Sequence, residues 1–196
     1  MTERSAAIIL AGGRSSRFGR DKLAEPIGAR PMLEVVIDSL RPILSDILVV
    51  GAKGRTPALP PDVKLAVDRV EFEGPLSGLS SGLAVLDPTV DQVLVAGGDM
   101  PSLVPAVLKR LLGALDAHEA AVLADDAGPR PLPMAIRRSE AAPVIERLLT
   151  RGERRLRALI GELDTLVIEP SIWGRDDPAG ATLIDVDTPG DLPSSG

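Results

Sequence analysis

Leu10-Ala11-Gly12-Gly13-Arg14-Ser15-Ser16-Arg17-Phe18-Gly19-Arg20-Asp21-Lys22 follows without a break on the apolar run Ala6-Ala7-Ile8-Ile9-Leu10. The run carries no charge and is stopped by glycine, the pattern of a strand buried on both faces of a parallel sheet. The paired glycines allow a sharp turn and let backbone N–H groups approach a ligand closely. Arg14, Arg17, Arg20 and Lys22, opposed only by Asp21, add cationic side chains suited to phosphate. A generic strand-to-helix turn would account for Gly12-Gly13 alone. The full string, with Arg17 and Lys22 at fixed distances, reads as a cradle for a triphosphate. It lacks the glycine spacing and the Lys-Ser/Thr pair of a Walker loop, and it is not the Gly-x-Gly-x-x-Gly dinucleotide turn.

The buried-strand signature recurs at Asp46 to Gly51, Val63 to Val67, Gln92 to Ala96, Ala120 to Ala124, Leu132 to Ile136, Thr165 to Glu169 and Thr182 to Val186. Helical spacing lies between these runs. Pro31 to Leu44 places Leu33, Val36, Ile37, Leu40 and Leu44 on one side, and Val104 to Leu115 does the same with Leu108, Leu111, Leu112 and Leu115. Pro75 to Leu86, Glu140 to Thr150 and Glu153 to Ile160 complete the helices, with a break at Gly152. The alternation predicts an α/β fold, a three-layer α/β/α sandwich with a mainly parallel, Rossmann-like sheet. No repeat or linker divides the chain, so residues 1–196 are expected to form one domain. Ligands in such sheets sit at the carboxyl ends of the strands.

Composition narrows the function. With 44% apolar and 26% charged residues over 196 positions, the chain can fill a core, burying roughly 70% of its unfolded surface. No uncharged apolar stretch is long enough to cross a membrane, and the apolar run after Glu3 and Arg4 is too short for a signal peptide, so a cytoplasmic location is expected. The absence of cysteine excludes disulfides, thiolate metal sites and cysteine nucleophiles. A net charge of −6, and Phe18, Phe72 and Trp173 as the only aromatics, argue against nucleic acid as a partner. The charge is uneven: Arg137 to Arg157 is strongly basic, and Asp176 to Asp191 carries aspartates without a base. The basic segment reads either as solvated helix surface or as an anion site. His118 is the only histidine, which excludes His-based triads and suits a surface position. Ser15, Ser16, Ser80 and Ser81 lack a histidine partner and read as loop or helix-packing residues. Trp173 is expected in a loop.

Three carboxylate groups stand out. Asp99 comes just past the strand run Val93 to Ala96 and Gly97-Gly98, where it could hold Mg²⁺ through oxygen. Its other reading, a cap for the helix starting near Ser102, places it three residues early. Asp185 and Asp187 end an expected strand at i and i+2, on one face. They read either as ligands of a shared cation or as a helix cap followed by Pro189. Asp68 follows a strand and sits beside Arg69, as a surface-turn residue would.

The string Leu-x-Gly-Gly-x-Ser-x-Arg-x-Gly-x-Asp-Lys resembles the opening of the MobA-like nucleotidyltransferases. Gly74-Pro75-Leu76-Ser77-Gly78, Gly98-Asp99-Met100-Pro101, Gly152-Glu153-Arg154-Arg155 and Asp187-Thr188-Pro189 extend the resemblance over nearly the whole chain. It implies a sheet of the nucleotide-diphospho-sugar transferase type and the family's type reaction. In that reaction GMP passes from GTP to Mo-molybdopterin, giving the guanine dinucleotide and pyrophosphate. By this resemblance Leu10, Ala11, Gly12 and Gly13 hold the nucleotide, and Arg17 and Lys22 offset charge on the leaving pyrophosphate. Asp99 binds Mg²⁺, joined by Asp185 or Asp187. Asp68 accepts the paired N–H donors of guanine, and Gly51, where the type member has Asn, contacts the base through backbone. The implied partners are GTP, a molybdopterin-type phosphorylated acceptor, and molybdoenzymes or cofactor-pathway proteins. Three rivals accompany this reading: a cytidylyltransferase for the same pterin, a guanylyltransferase for another phosphorylated acceptor, and a nucleotide-binding partner protein without catalysis. The double glycine and the Gly74 to Gly78 segment favour guanylyl transfer. Arg17, Lys22 and Asp99 favour catalysis.

Overall fold

Ala6, Ala7, Ile8 and Ile9, the uncharged run before the glycines, have no solvent exposure in the computed structural model, which describes residues 4–12, 22–52, 58–68 and 74–186. They form the middle of β1 (Arg4–Ala11). In chain order there follow β2 (Pro26–Ile27), β3 (Arg30–Pro31), α1 (Met32–Leu40), β4 (Ile47–Gly51), β5 (Lys64–Val67), α2 (Pro75–Val85), β6 (Val90–Gly97) and α3 (Pro105–Ala114). Next come β7 (Ala120–Asp125), β8 (Gly128–Arg137), α4 (Arg138–Thr150), α5 (Arg157–Glu162), β9 (Thr165–Ile168) and α6 (Pro170–Trp173).

β2 and β3 form a small hairpin, and the other strands make one seven-stranded sheet in the order β5-β4-β1-β6-β8-β7-β9. β1 lies parallel to β4 and β6, and β5 extends the parallel set. Only β8 runs antiparallel, between β6 and β7. The sheet is therefore mainly parallel, as the alternation of elements predicts.

Period-two alternation distributes β1 between two cores. Ala6 and Ile8 pack with Leu76, Leu79 and Leu83 of α2 and with Ala141, Val144, Ile145 and Leu148 of α4. Ala7 and Ile9 pack on the other face with Leu33, Val36, Ile37 and Leu40 of α1 and Val107, Leu108 and Leu111 of α3. Helices on both faces give the three layers. α2 tolerates Gly82 because it lies tight against the sheet: a Cβ there would stand 3.0 Å from Ile8 Cδ1 and from Val50 Cγ2. Close approach offsets the helix-propensity cost of glycine, about 1 kcal/mol.

Several expectations need correction. β8 begins at Gly128, four residues before the expected Leu132, because a side-chain-assisted turn lets the hairpin start early. Asp125 accepts the Ala127 amide at 2.8 Å and the Arg130 guanidinium at 2.8 Å, and Asp125 pairs with Gly128 across the turn. α5 starts at Arg157 rather than Glu153, since residues 153–155 are folded into a turn around the Glu153 carboxylate. Thr182 to Val186 is not a strand: Ala181–Leu183 is a 3-10 turn, and residues 184–186 run outside the sheet. Trp173 ends α6 instead of lying in a loop. It is buried, and its Nε1 donates to the Ala124 carbonyl at 2.9 Å.

Trp173 thereby fastens the C-terminal segment to the end of β7. Trp173→Phe keeps most of the apolar bulk and orphans a buried carbonyl, so the unfolding free energy should fall by about 1–3 kcal/mol. Urea denaturation followed by circular dichroism measures it, and an unchanged midpoint would contradict this fastening role.

Candidate nucleotide and metal site

Parallel pairing brings the ends of four strands to one rim. Leu10 is in register with Val50 of β4 and Gly97 of β6, and Ala11 with Gly51. The Gly98 amide donates to the Leu10 carbonyl at 3.0 Å, and the Asp68 amide donates to the Gly51 carbonyl at 2.9 Å. Leu10, Ala11, Gly12, Gly51, Asp68 and Asp99 therefore share the carboxyl rim of the parallel strands. The segment after the glycine loop also reaches this rim: a Cβ on Gly98 would stand 3.2 Å from Leu23 Cδ2. Lys22 opens the short 3-10 turn Lys22–Ala24. Its side chain lies outside the described residues, as do Gly13, Arg17 and Asp187.

Asp99 sits in a tight turn after β6. The Met100 amide donates to the Gly97 carbonyl at 3.3 Å, and the Gly97 amide donates to Met100 Sδ at 3.4 Å. The Asp99 carboxylate folds back over Gly97, where a Cβ would stand 2.5 Å from Asp99 Oδ1. Only glycine leaves that space. The capping reading of Asp99 fails, because the cap position of α3 is Val104 and no side chain of α3's own leading turn caps it. The Val104 amide instead donates to Thr182 Oγ1 at 3.2 Å, from the C-terminal segment.

That segment also reaches Asp99 directly. The Val186 amide donates to the Asp99 carbonyl at 2.9 Å, which places Asp185 beside the turn. Asp185 pairs with Arg130 at 3.1 Å, and Arg130 also pairs with Asp125 at 2.8 Å. Asp185 is therefore oriented from β8, not by strand periodicity. Asp177 organises the turn that leads to Thr182: burial opposes its charge, yet the Thr182, Ala181 and Ala179 amides hold its carboxyl below the usual range. Among the described residues, no cluster of three or more His, Cys, Asp or Glu side chains forms a ready-made metal cage.

Asp68 faces α2. Ser77 and Ser81 each donate a hydroxyl to Asp68 Oδ1 at 3.1 Å. The helix itself starts against the Gly152 to Arg155 turn. Gly74 has φ +87°, with Arg154 backbone 2.9 Å from where its Cβ would lie, and the Leu76 amide donates to the Arg154 carbonyl at 3.2 Å. Two segments that the sequence shows far apart thus form one contact, which fixes the entrance of α2 beside Asp68.

The basic segment from Arg137 to Arg157 is largely engaged within the fold. Arg137 reaches Asp91 and the Leu115 carbonyl, Arg138 the Asp87 carbonyl, Arg154 the Leu149 carbonyl and Arg157 the Pro129 carbonyl. Arg147 and Arg151 lie near Glu162, and Arg155 pairs with Glu153. His118 pairs with Asp164 at 3.2 Å, a peripheral contact.

A family model for the MobA-like NTP transferase domain matches residues 7–166. The chain belongs to this family. A MobA-like relative from Chloroflexus aggregans, named a probable molybdenum cofactor guanylyltransferase, is 35% identical over 95% of this chain and 91% of its own. Molybdopterin-guanine dinucleotide biosynthesis protein A from Archaeoglobus fulgidus has the same fold, with a TM-score of 0.77 and 22% identity over 95% of this chain and 94% of that one. A Mycobacterium tuberculosis protein solved in complex with manganese aligns with a TM-score of 0.70 and 20% identity, over 98% of this chain and 100% of that one. The α/β sandwich of this MobA-like chain is thus the fold the sequence resemblance implies. No helix among the described residues is long and apolar enough to cross a membrane.

Sequence reading missed Ser77, Ser81 and Arg130 as contributors to the site. Ser77 and Ser81 are at i and i+4 on a helix, a spacing that puts both hydroxyls on one face. That signal was present in the sequence but had no partner until Asp68 was placed. Arg130 sits in a Pro-flanked stretch that looks like a turn, so nothing local pointed to Asp185.

The Arg155 guanidinium, and then the amides of Arg155 and Arg154, hold the Glu153 carboxyl down at about 2 instead of 4.5. Because the folded value is depressed, the turn's contribution is complete above pH 4.5 and fades as pH falls toward about 2. The Tm advantage of the wild type over Glu153→Gln should therefore be full at pH 6 and shrink across that window. A difference independent of pH would exclude this role for the carboxylate.

Proposed function

We propose that this chain transfers GMP from GTP to the terminal phosphate of Mo-molybdopterin, releasing pyrophosphate and leaving the pterin as its guanine dinucleotide. One observation carries the reading: the Gly12 end of β1, Asp68 and Asp99 share one rim, joined by the Gly98-to-Leu10 and Asp68-to-Gly51 hydrogen bonds and by the pairing of β1 with β4. The names of the relatives support the same acceptor and base.

In this reaction an oxygen of the pterin phosphate forms a bond to the α-phosphorus, and the bond from that phosphorus to the bridging oxygen breaks, with pyrophosphate leaving. Such chemistry needs positioning and charge neutralisation more than covalent help. The attacking phosphate is already ionised, so no general base is required. Backbone groups at Leu10, Ala11, Gly12 and Gly13 hold the nucleotide, and Arg17 and Lys22 offset charge on the pyrophosphate. Asp68 accepts the N–H donors of guanine, with the backbone at Gly51 beside the base.

Mg²⁺ fits the donor set, because the acids at this rim, Asp99 and Asp185, offer hard oxygen atoms and no sulfur or imidazole. The open space over Gly97 that admits the Asp99 carboxylate is consistent with a ligand role. Asp99 would hold the ion, with Asp185 or Asp187 as a further ligand, and the ion would neutralise phosphate oxygens. A cage of three protein carboxylates is not needed, since Mg²⁺ is usually bound by one or two carboxylates with water and substrate phosphates.

Thermal shift with GTP, CTP and ATP in the presence of Mg²⁺ tests the base, and pyrophosphate release with Mo-molybdopterin tests turnover. Stabilisation by GTP alone and pterin-dependent release are expected; preference for CTP would move the assignment to cytidylyl transfer. Asp99→Ala should lower turnover at least about a hundredfold with the fold retained. Gly97→Ala, by displacing the same carboxylate, should raise the Mg²⁺ concentration needed for half-maximal rate. Near-normal turnover by Asp99→Ala would refute the metal assignment.

A further inference from the structure

We propose that Ser77 and Ser81 are positioning residues that lock Asp68 as the group reading the nucleotide base. The inference rests on the functional reading above and adds residues to it. Both hydroxyls donate to the same oxygen, Asp68 Oδ1, each at 3.1 Å. They come from consecutive turns of α2, while the Asp68 amide is held by the Gly51 carbonyl of β4 at 2.9 Å. One end of the residue is fixed by the sheet and the other by the helix. With Cα and Oδ1 both anchored, the direction of Oδ2 is set.

Gly78, between the two serines in sequence, keeps the helix surface small at this point. Even a Cβ there would lie only 3.8 Å from Asp68 Oδ2 and 3.6 Å from Leu10 Cδ2. Leu10 belongs to the strand end that carries the glycine loop, so the serine-braced carboxylate is next to the nucleotide rim. Ser77 is 6% exposed, which shields its hydroxyl from competing water.

The chemistry calls for such a brace. Guanine presents adjacent N–H donors that a carboxylate accepts in its own plane. Cytosine and adenine pair a donor with a ring-nitrogen acceptor, which a carboxylate repels. Discrimination of this kind depends on the angle of the carboxylate, and a freely rotating aspartate would lose part of it on binding. The serines supply that angle without touching the base.

A merely structural role would tack α2 to β5 and affect stability alone. A double-mutant cycle separates the two roles. Ser77→Ala/Ser81→Ala, Asp68→Asn and the combined variant are compared with the wild-type full chain. The readouts are Kd for GTP, CTP and ATP by titration calorimetry with Mg²⁺, the kcat and KM of pyrophosphate release, and Tm. Removal of the serines should weaken GTP about tenfold in Kd and KM, leave kcat within about twofold, and narrow the preference for GTP. In the Asp68→Asn background the same removal should cost less than about twofold. Ser81→Thr, which keeps the hydroxyl, should retain the wild-type Kd, and Ser81→Ala alone supplies the comparison if the double variant fails to fold. Unchanged base preference after serine removal, or costs that multiply independently of Asp68, would overturn the proposal. If the wild type prefers a nucleotide other than GTP, the functional reading falls. The cycle run with that nucleotide then decides the serines by the same coupling.

Discussion

The hydrogen bond from the Gly98 amide to the Leu10 carbonyl, 3.0 Å long, joins the two strand ends on which the site is built. It continues the parallel pairing of β1 with β6 one step past the sheet. On one side of β1 the order runs through β4 to β5, and on the other it begins with β6, so the chain reverses direction across the sheet at this pair. α1 and α2 consequently lie on opposite faces, and their connections diverge at the ends of β1 and β6. Ligands in open α/β sheets bind at such switch points. Strand order thus sets Gly12, at the end of β1, and Asp99, after β6, on the same rim.

Main-chain contacts then bring distant segments to this rim. The Arg154 carbonyl receives the Leu76 amide at the start of α2, and the Asp99 carbonyl receives the Val186 amide from the C-terminal segment. Trp173 and Thr182 anchor that segment to β7 and to the start of α3. Backbone contacts of this kind constrain geometry while leaving side-chain identity open. They help explain how a chain 22% identical to the Archaeoglobus protein keeps the same fold.

The acids at the rim differ in how they are held. Asp68 is braced by hydroxyls and Asp185 is paired with a guanidinium. Asp99 folds over a glycine. The Arg130 pairing links the orientation of Asp185 to β8 and to Asp125.

The sequence by itself determined the layers and the strand ends. Uncharged runs such as Ala6 to Leu10 and Val93 to Ala96 can only be buried on both faces, and the glycines after them mark where each strand must stop. It also pointed to Asp99, which comes just past the Val93 to Ala96 run and its two glycines, whereas Asp68 stood out through the family resemblance. The Asp185/Asp187 pair was misread as a strand end, since Thr182 to Val186 has strand-like composition yet joins no sheet ladder among the described residues. Tertiary structure alone decided that Arg130 faces Asp185, that Ser77 and Ser81 face Asp68, and that the Gly152 turn meets Gly74. Local periodicity reports which face of an element is apolar. It carries no information on which polar group another element, tens of residues away, will set opposite it.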